Sequence, residues 1–288
     1  MRLAPFGFWK NSGAASINID DYTNPKLAFS LRRVSTAYTG FCIKIRRDTD
    51  NATLDIGFTG GLGSWVNDVA IQAFLDADSA TIAYIDTWYD QSGNAYNITQ
   101  TTLTDQPQLV ASAFATSGSV WSVRFDGVST HLIHDAVTND FCSINQYVSF
   151  TALKVTGNSF ACLACVNSNV TTSQNSHWKI LRYNGVTRHY WNNGSAQSTA
   201  IATPSIEQYL GYKATTNLQG YIIDDSVTNT NTATATNDGR YFLMGCSSNT
   251  GSHPFGGDVG EFLWFDDYLT SDNRDTFVAD QNDTYTLF

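Results

Sequence analysis

Acid–base chemistry needs two carboxyl groups held within a few ångströms of each other, so the acidic residues are the first to place. They are lopsided: Glu207 and Glu261 are the only glutamates, and the other acids are aspartates. Asp258 and Glu261 share the run Gly257-Asp258-Val259-Gly260-Glu261-Phe262, and Asp90 stands in Tyr89-Asp90-Gln91-Ser92-Gly93. Asp, Ser and Gly in that order build a side-chain-stabilised turn after a buried strand, which makes Asp90 structural. A calcium reading of Asp90 stays open but unsupported, since it would need oxygens from several separate loops, which one sequence cannot establish. Calcium apart, no metal site and no cofactor is expected. Ser, His and Asp are all present, but there is no Gly-x-Ser-x-Gly elbow, and His131 and His134 flank Leu132-Ile133 without a metal partner nearby. The glycines of Gly57–Gly63 lack a phosphate-loop Lys and the spacing of a dinucleotide fingerprint, so they mark a turn.

Five cysteines, Cys42, Cys142, Cys162, Cys165 and Cys246, are an odd number in a chain long enough to fold without staples, and they read as free thiols. Cys162 and Cys165 form a Cys-x-x-Cys inside the strand-like run Ser159-Phe160-Ala161-Cys162-Leu163-Ala164-Cys165-Val166. An offset of three in a strand sends two side chains to opposite faces, which disfavours a zinc or redox pair. The best binding patch is aromatic and amide-rich: His189, Tyr190, Trp191, Asn192 and Asn193, with Trp178 on the preceding strand. Rings that stack on sugar faces, beside amides that bond hydroxyls, can hold a glycan without charge. Strand alternation would instead bury every second one of these residues.

Of the 288 residues, 42% are apolar and only 15% charged, with aromatics at 13%. The polar surface must then be mostly Ser, Thr, Asn and Gln, a composition that suits strands and loops. Sixteen basic against twenty-six acidic residues give a net charge of -10, which argues against nucleic acid and anionic membranes as partners. No apolar run is long enough to insert in a membrane, and the first ten residues lack the apolar stretch of an export signal. Residues 1–26 read as an attachment arm, lying on the body or reaching a neighbour, ahead of one domain at 27–288.

Two helices are expected. One is capped by Ser64 and runs to Asp76 with Val66, Val69, Ala70, Ala73 and Phe74 as its apolar face, and the other runs from Thr270 or Ser271 to about Asp280. Nearly everything between them reads as short strands, and Asn184-Gly185 and Asn193-Gly194 mark hairpins. The fold class expected is all-β: a two-sheet antiparallel jelly-roll sandwich with one or two short helices. Thr228–Asn237 reads as a polar loop or edge strand.

The order Ala28-Phe29-Ser30-Leu31-Arg32-Arg33, Ala37-Tyr38-Thr39-Gly40, Ile45-Arg46-Arg47, Asp55-Ile56-Gly57 and Trp88-Tyr89-Asp90-Gln91-Ser92-Gly93-Asn94 resembles fungal arabinofuranosidase catalytic domains of concanavalin A-like fold. It is also similar to LamG-like jelly rolls of bacteriophage virion proteins, a pattern continued by Gln106–Val110 and Val123–Val128 and by the closing run from Gly257. The resemblance implies a nucleophilic Glu near Tyr147–Thr151 and an acid/base Asp near Cys246–Asn249. No carboxylate occurs between Asp140 and Glu207 or between Asp238 and Asp258, and no two cysteines are adjacent as in those enzymes. The resemblance thus implies the fold without the activity.

The expected function is a non-enzymatic virion surface protein of a bacteriophage tail or fibre, binding carbohydrate weakly through Trp178, His189, Tyr190, Trp191, Asn192 and Asn193. Its expected partners are a host cell-surface glycan, other virion proteins through residues 1–26, and further copies of itself in a homo-oligomer. A capsid decoration protein is the alternative, and a glycoside hydrolase with displaced carboxylates, Asp258 and Glu261 among them, a lesser one. The expected location is the virion, after synthesis in the host cytoplasm.

Overall fold

The computed structural model describes residues 16–285 apart from 116–117, 136–140, 142–146, 156–159, 168–175, 184–185, 192–195, 198–200, 203–205, 215–216, 223–230, 233–240, 249–251 and 268. In chain order, the described residues form β1 (Pro25–Ser30), β2 (Ile43–Arg47), β3 (Thr53–Ile56), α1 (Asp68–Asp76), β4 (Ala83–Trp88), β5 (Ile98–Thr99), β6 (Gln108–Ala115), β7 (Gly118–Asp126) and β8 (Leu132–Asp135). There follow β9 (Tyr147–Val155), β10 (Phe160–Asn167), β11 (Ser176–Tyr183), β12 (Val186–Trp191), β13 (Ala196–Gln197), β14 (Ile201–Ala202) and β15 (Ile206–Ala214). The last elements are β16 (Asn217–Ile222), β17 (Asn231–Thr232), β18 (Tyr241–Met244), β19 (Gly256–Phe265) and α2 (Ser271–Tyr285).

The protein is mostly β, as its composition requires, and the strand pairs are antiparallel. β19 is the hub, pairing with β1, β7 and β9, and all ten of its residues are buried. From β7 the pairing runs through β6 to β4 and β5, then through β8 and β18 to β10, β11 and β12. The sheet curls enough to bring rings of distant strands together. Phe242 of β18 lies 5.8 Å from Phe29 of β1 and 5.4 Å from Phe262 of β19, ring centre to ring centre. These rings, with Trp88, Trp264 and Phe125, fill the main core. Each buried aromatic side chain of this size contributes roughly 2–3 kcal/mol by leaving water.

A second, smaller core closes one side. Ile17, Ile19, Ala28, Val34 and Leu263 pack there with Phe265, Leu269 and Phe277 of α2. Of the expected arm, residues 1–15 lie outside the described residues, whereas Ile17 and Ile19 are buried on the body.

Three local expectations need correction. Helix α1 begins at Asp68 and is capped by Asn67, whose side chain accepts from the Ala70 amide at 3.1 Å. Ser64 is occupied in the preceding turn, where its hydroxyl accepts from the Gly60 amide and its carbonyl from Arg33. Trp65 and Val66 are held extended by bridges to Arg32 and Phe58. The buried face of α1 is Ile71 and Leu75, spaced one turn apart, while Val69 is 74% exposed. The third correction concerns Cys162 and Cys165. A bulge between Cys162 and Ala164 breaks the alternation, so both thiols join the same buried cluster, with Leu243 and Cys246. They are free and buried, as are Cys42 and Cys246, and Cys142 lies outside the described residues.

Candidate functional site

The end of β4 does most to shape the candidate site. Asp90 follows it and is almost wholly buried. Its Oδ1 accepts from the amides of Ala28 (2.8 Å) and Ser92 (2.9 Å), and its Oδ2 from the Ser92 hydroxyl (2.7 Å) and the Tyr96 amide (3.1 Å). Gln91 continues the seam: its Nε2 donates to the carbonyls of Ser30 and Arg32, and its Oε1 accepts from the Val34 amide. The Asp-Gln-Ser motif therefore sews β4 to β1 and to the segment that follows β1, in agreement with the turn expected at Asp90.

Beside this seam opens a cleft of about 320 Å³, lined by Asp20, Tyr38, Thr39, Tyr89, Asp90 and Asn97 among others. Its two carboxyls are pushed in opposite directions. Burial alone would raise Asp20, but hydrogen bonds from Ser35, Ala37 and Thr36 outweigh it and hold that carboxyl below its ordinary range. Burial dominates at Asp90 and raises it, against the pull of its four donors. Burial also raises both tyrosines, whose hydroxyls are engaged: Tyr38 donates to the Phe41 carbonyl at 2.7 Å and Tyr89 to Asp55 Oδ1 at 2.6 Å. Phe41, half exposed, is not a lining residue but holds its ring 6.3 Å from that of Tyr89, next to the lining residue Gly40.

The polar groups left for a ligand are few and placed. Asn97 accepts the Asp90 amide through Oδ1, and neither its amide nitrogen nor the Thr39 hydroxyl bonds another described residue. Aromatic walls with a small number of convergent donors and acceptors, over a floor of engaged carboxyls, suit a neutral polyhydroxylated ligand.

Other sequence-predicted residues fall elsewhere. In the β11–β12 hairpin Trp178 is opposite Trp191, Lys179 opposite Tyr190 and Ile180 opposite His189. Positions 178, 189 and 191 thus share one face of the ladder and position 190 takes the other. Asn192 and Asn193 lie outside the described residues. Asp258 and Glu261 are both fully buried and each is gripped by an arginine. Arg124 binds Asp258 at 2.7 and 2.9 Å, and Arg32 binds Glu261 at 2.9 and 3.1 Å, so the two carboxylates act in separate ion pairs. His131 contacts Gln100 and the Ser129 carbonyl, and His134 contacts the Asn97 carbonyl. Among the described residues no group of three or more His, Cys, Asp or Glu side chains is placed to hold a metal ion. Tyr147–Thr151 form the first half of β9, paired with β15 and β19, and Cys246, Ser247 and Ser248 are buried just after β18.

Sequence reasoning quoted Tyr38, Thr39 and Tyr89 within motifs but did not assemble them, and it missed Asp20 and Asn97. The signal was present in Ala37-Tyr38-Thr39-Gly40 and Trp88–Asn94, yet only the β1–β4 seam brings those loops together.

No protein-family model matches the sequence, and no curated protein matches it. In fold the chain is similar to an arabinofuranosidase solved with arabinofuranosyl-alpha-1,2-xylobiose, with TM-score 0.65 and 15% identity over 91% of this chain and 62% of that one. It is likewise similar to a GH54 α-L-arabinofuranosidase soaked with a cyclic sulfate inhibitor, with TM-score 0.66, 15% identity and the same 91% and 62% coverage. The chain therefore spans about three fifths of the length of these enzymes, 62%.

These likenesses correct the expected function. The reading as a bacteriophage tail, fibre or capsid decoration protein is overturned, because the fold matched over 91% of the chain is that of a glycoside hydrolase and nothing links it to a virion. The physical reason lies in the motifs that carried the resemblance. Asp90, Gln91 and Ser92 bond the backbone around β1, so they mark a fold and not the setting in which it works.

Proposed function

We propose that this chain is a saccharide-recognising protein, built as a two-sheet jelly-roll sandwich of the arabinofuranosidase type, and that the sugar sits in the cleft beside Asp90. The observation that carries the reading is the cleft itself. Tyr38 and Tyr89, with the half-exposed ring of Phe41 beside Tyr89, offer faces for the apolar side of a sugar, and Asn97 and Thr39 offer groups for its hydroxyls. The fold likeness gives the substrate class to try first, since one similar enzyme was solved with an arabinofuranosyl xylobiose. The two-sheet reading is supported by the ring contacts of β18 against β1 and β19.

The test is calorimetric titration with neutral arabinose- and xylose-containing oligosaccharides, with released sugar assayed in the same samples. Wild type is expected to bind without releasing sugar, and Phe41→Ala and Thr39→Val to weaken binding on the order of tenfold each. Trp191→Ala is expected to leave affinity unchanged. Affinity lost only in Trp191→Ala would move the site to the β11–β12 hairpin. Sugar release would replace recognition by hydrolysis, and no binding by any neutral oligosaccharide would overturn the proposal.

A further inference from the structure

The wall of the cleft that carries Tyr38 and Thr39 has no regular structure of its own. Residues 35–41 form neither helix nor strand, Thr36, Ala37, Thr39, Gly40 and Phe41 are exposed, and none of the seven belongs to the main or the second core. A segment so poor in buried apolar contacts opens locally unless polar bonds hold it. Here they come from two charged groups of opposite sign. Arg33 is half-buried and does not line the cleft. Its Nε donates to the Ser35 carbonyl at 3.0 Å, and its Nη2 to the carbonyls of Thr36 at 3.2 Å and Tyr38 at 2.5 Å. Its Nη1 reaches the Gly60 carbonyl at 3.4 Å, which joins the segment to the turn ahead of α1. Asp20 takes the donors of the same segment, accepting from the Ser35 hydroxyl at 2.6 Å and from the Thr36 hydroxyl and the Ala37 amide at 2.8 Å each. The Ser35 hydroxyl accepts in turn from the Tyr38 amide at 3.0 Å. The Tyr38 side chain then lies across Gly40, where a Cβ would run into its hydroxyl and ring.

We infer that Arg33 is a positioning residue for the sugar site: its guanidinium, working with the Asp20 carboxylate, fixes residues 35–38 and holds the Tyr38 ring in place before a ligand arrives. The inference rests on the reading of the cleft as a saccharide site. A planar fork of donors spans several carbonyls at fixed spacing, which the single ammonium of Lys cannot do, so Lys is no equivalent at this position. A wall ordered in advance takes the loss of loop and side-chain freedom out of the binding step.

The experiment compares Arg33→Lys with wild type, as whole chains, in three measurements: hydrogen exchange, calorimetric titration with the arabinose- and xylose-containing oligosaccharides, and alkaline spectrophotometric titration of Tyr38, isolated as the difference from the matching Tyr38→Phe chain. Burial holds the Tyr38 hydroxyl well above the ordinary tyrosine range. In Arg33→Lys its ionisation is expected to fall towards the ordinary value of about 10. The Ala37 and Tyr38 amides are expected to exchange at least about tenfold faster while β7 and β19 keep their protection. Affinity is expected to fall about tenfold, and Arg33→Lys to add no further loss once Tyr38 is Ala. Gly40→Ala leaves Arg33 untouched and is expected to keep Ala37 protected, lower the Tyr38 ionisation and weaken binding, so ring placement is tested even if Arg33→Lys does not fold. Unchanged exchange at Ala37 and Tyr38, or a released wall with undiminished affinity, would overturn the inference. A wild type that binds no sugar would remove the saccharide reading instead, and exchange and titration would still decide whether Arg33 sets the wall.

Discussion

Asp90 accepts three backbone amides and one hydroxyl, and this number of donors explains how a buried carboxyl is held in this loop. Replacing it with Ala would leave those buried amides without partners, at about 1–3 kcal/mol for each one that water cannot reach. Asp90→Ala is expected to lower stability by about 3–5 kcal/mol in urea unfolding, with the slope against urea unchanged. Asp266 gives a prediction of opposite sense. Burial raises it to about 6 despite the Lys26 ammonium 3.3 Å away. Between its unfolded and folded pKa values the native chain binds the extra proton, so stability rises as pH falls from 7 towards 5. The gain from this one group is on the order of 1–2 kcal/mol, and Asp266→Asn is expected to abolish it in unfolding curves taken at the two pH values. Below that window Asp20 and Asp126, both held low by hydrogen bonds that outweigh their burial, lose their contribution on protonation, and stability falls again.

Helix α2 is fixed to the sheet less by its own sequence than by what it meets. Arg32 binds both Glu261 of β19 and Asp280 of α2, Gln281 donates to Glu261 at 3.0 Å, and the Ile17 amide donates to Asp280 at 3.2 Å. Arg32→Ala would strand two buried carboxylates, and a loss of about 3–5 kcal/mol is expected. Hydrogen exchange on the same variant is expected to show α2 and residues 17–21 losing protection together, ahead of β7 and β9. Gly260 provides a steric counterpart: a Cβ there would lie 2.5 Å from the Tyr285 ring, so Gly260→Ala is expected to cost about 1–3 kcal/mol by pushing α2 off the sheet. At this scale the sequence was legible where a signal was local. Ile43 and Ile45 alternate inward as their spacing requires, and Tyr183 pairs with Val186 on either side of the expected Asn184-Gly185 turn. It was illegible where a distant partner decided. Ser64 has the chemistry of a cap, yet the bridges at Trp65 and Val66 extend the chain beyond it and hand the cap to Asn67. Arg46 reads as an outward cation, but Gln106 and the face of Tyr84 draw it in to 5% exposure.

For the molecule as a whole, composition and turn spacing identified a mostly β protein with two helices, and the motif order pointed to the arabinofuranosidase type of fold, to which the chain is similar. The cleft was out of reach because Asp20, Tyr38 and Asn97 lie in three separate segments, the first a 3-10 turn at Ile19–Asp21, whose meeting depends on the β1–β4 seam. The same non-local pairing sets the kinetics: β1 at Pro25–Ser30 pairs with β19 at Gly256–Phe265. A topology this rich in distant contacts is expected to refold on the millisecond-to-second scale or slower, which stopped-flow tryptophan fluorescence would follow. The position of β19 also has a bearing on biosynthesis. Its three partners, β1, β7 and β9, all leave the ribosome before it does. Until β19 emerges, the nascent chain carries unsatisfied strand edges and an open apolar face, so a stalled ribosome would display a sticky intermediate and a chaperone would find its binding surface where the hub strand is missing.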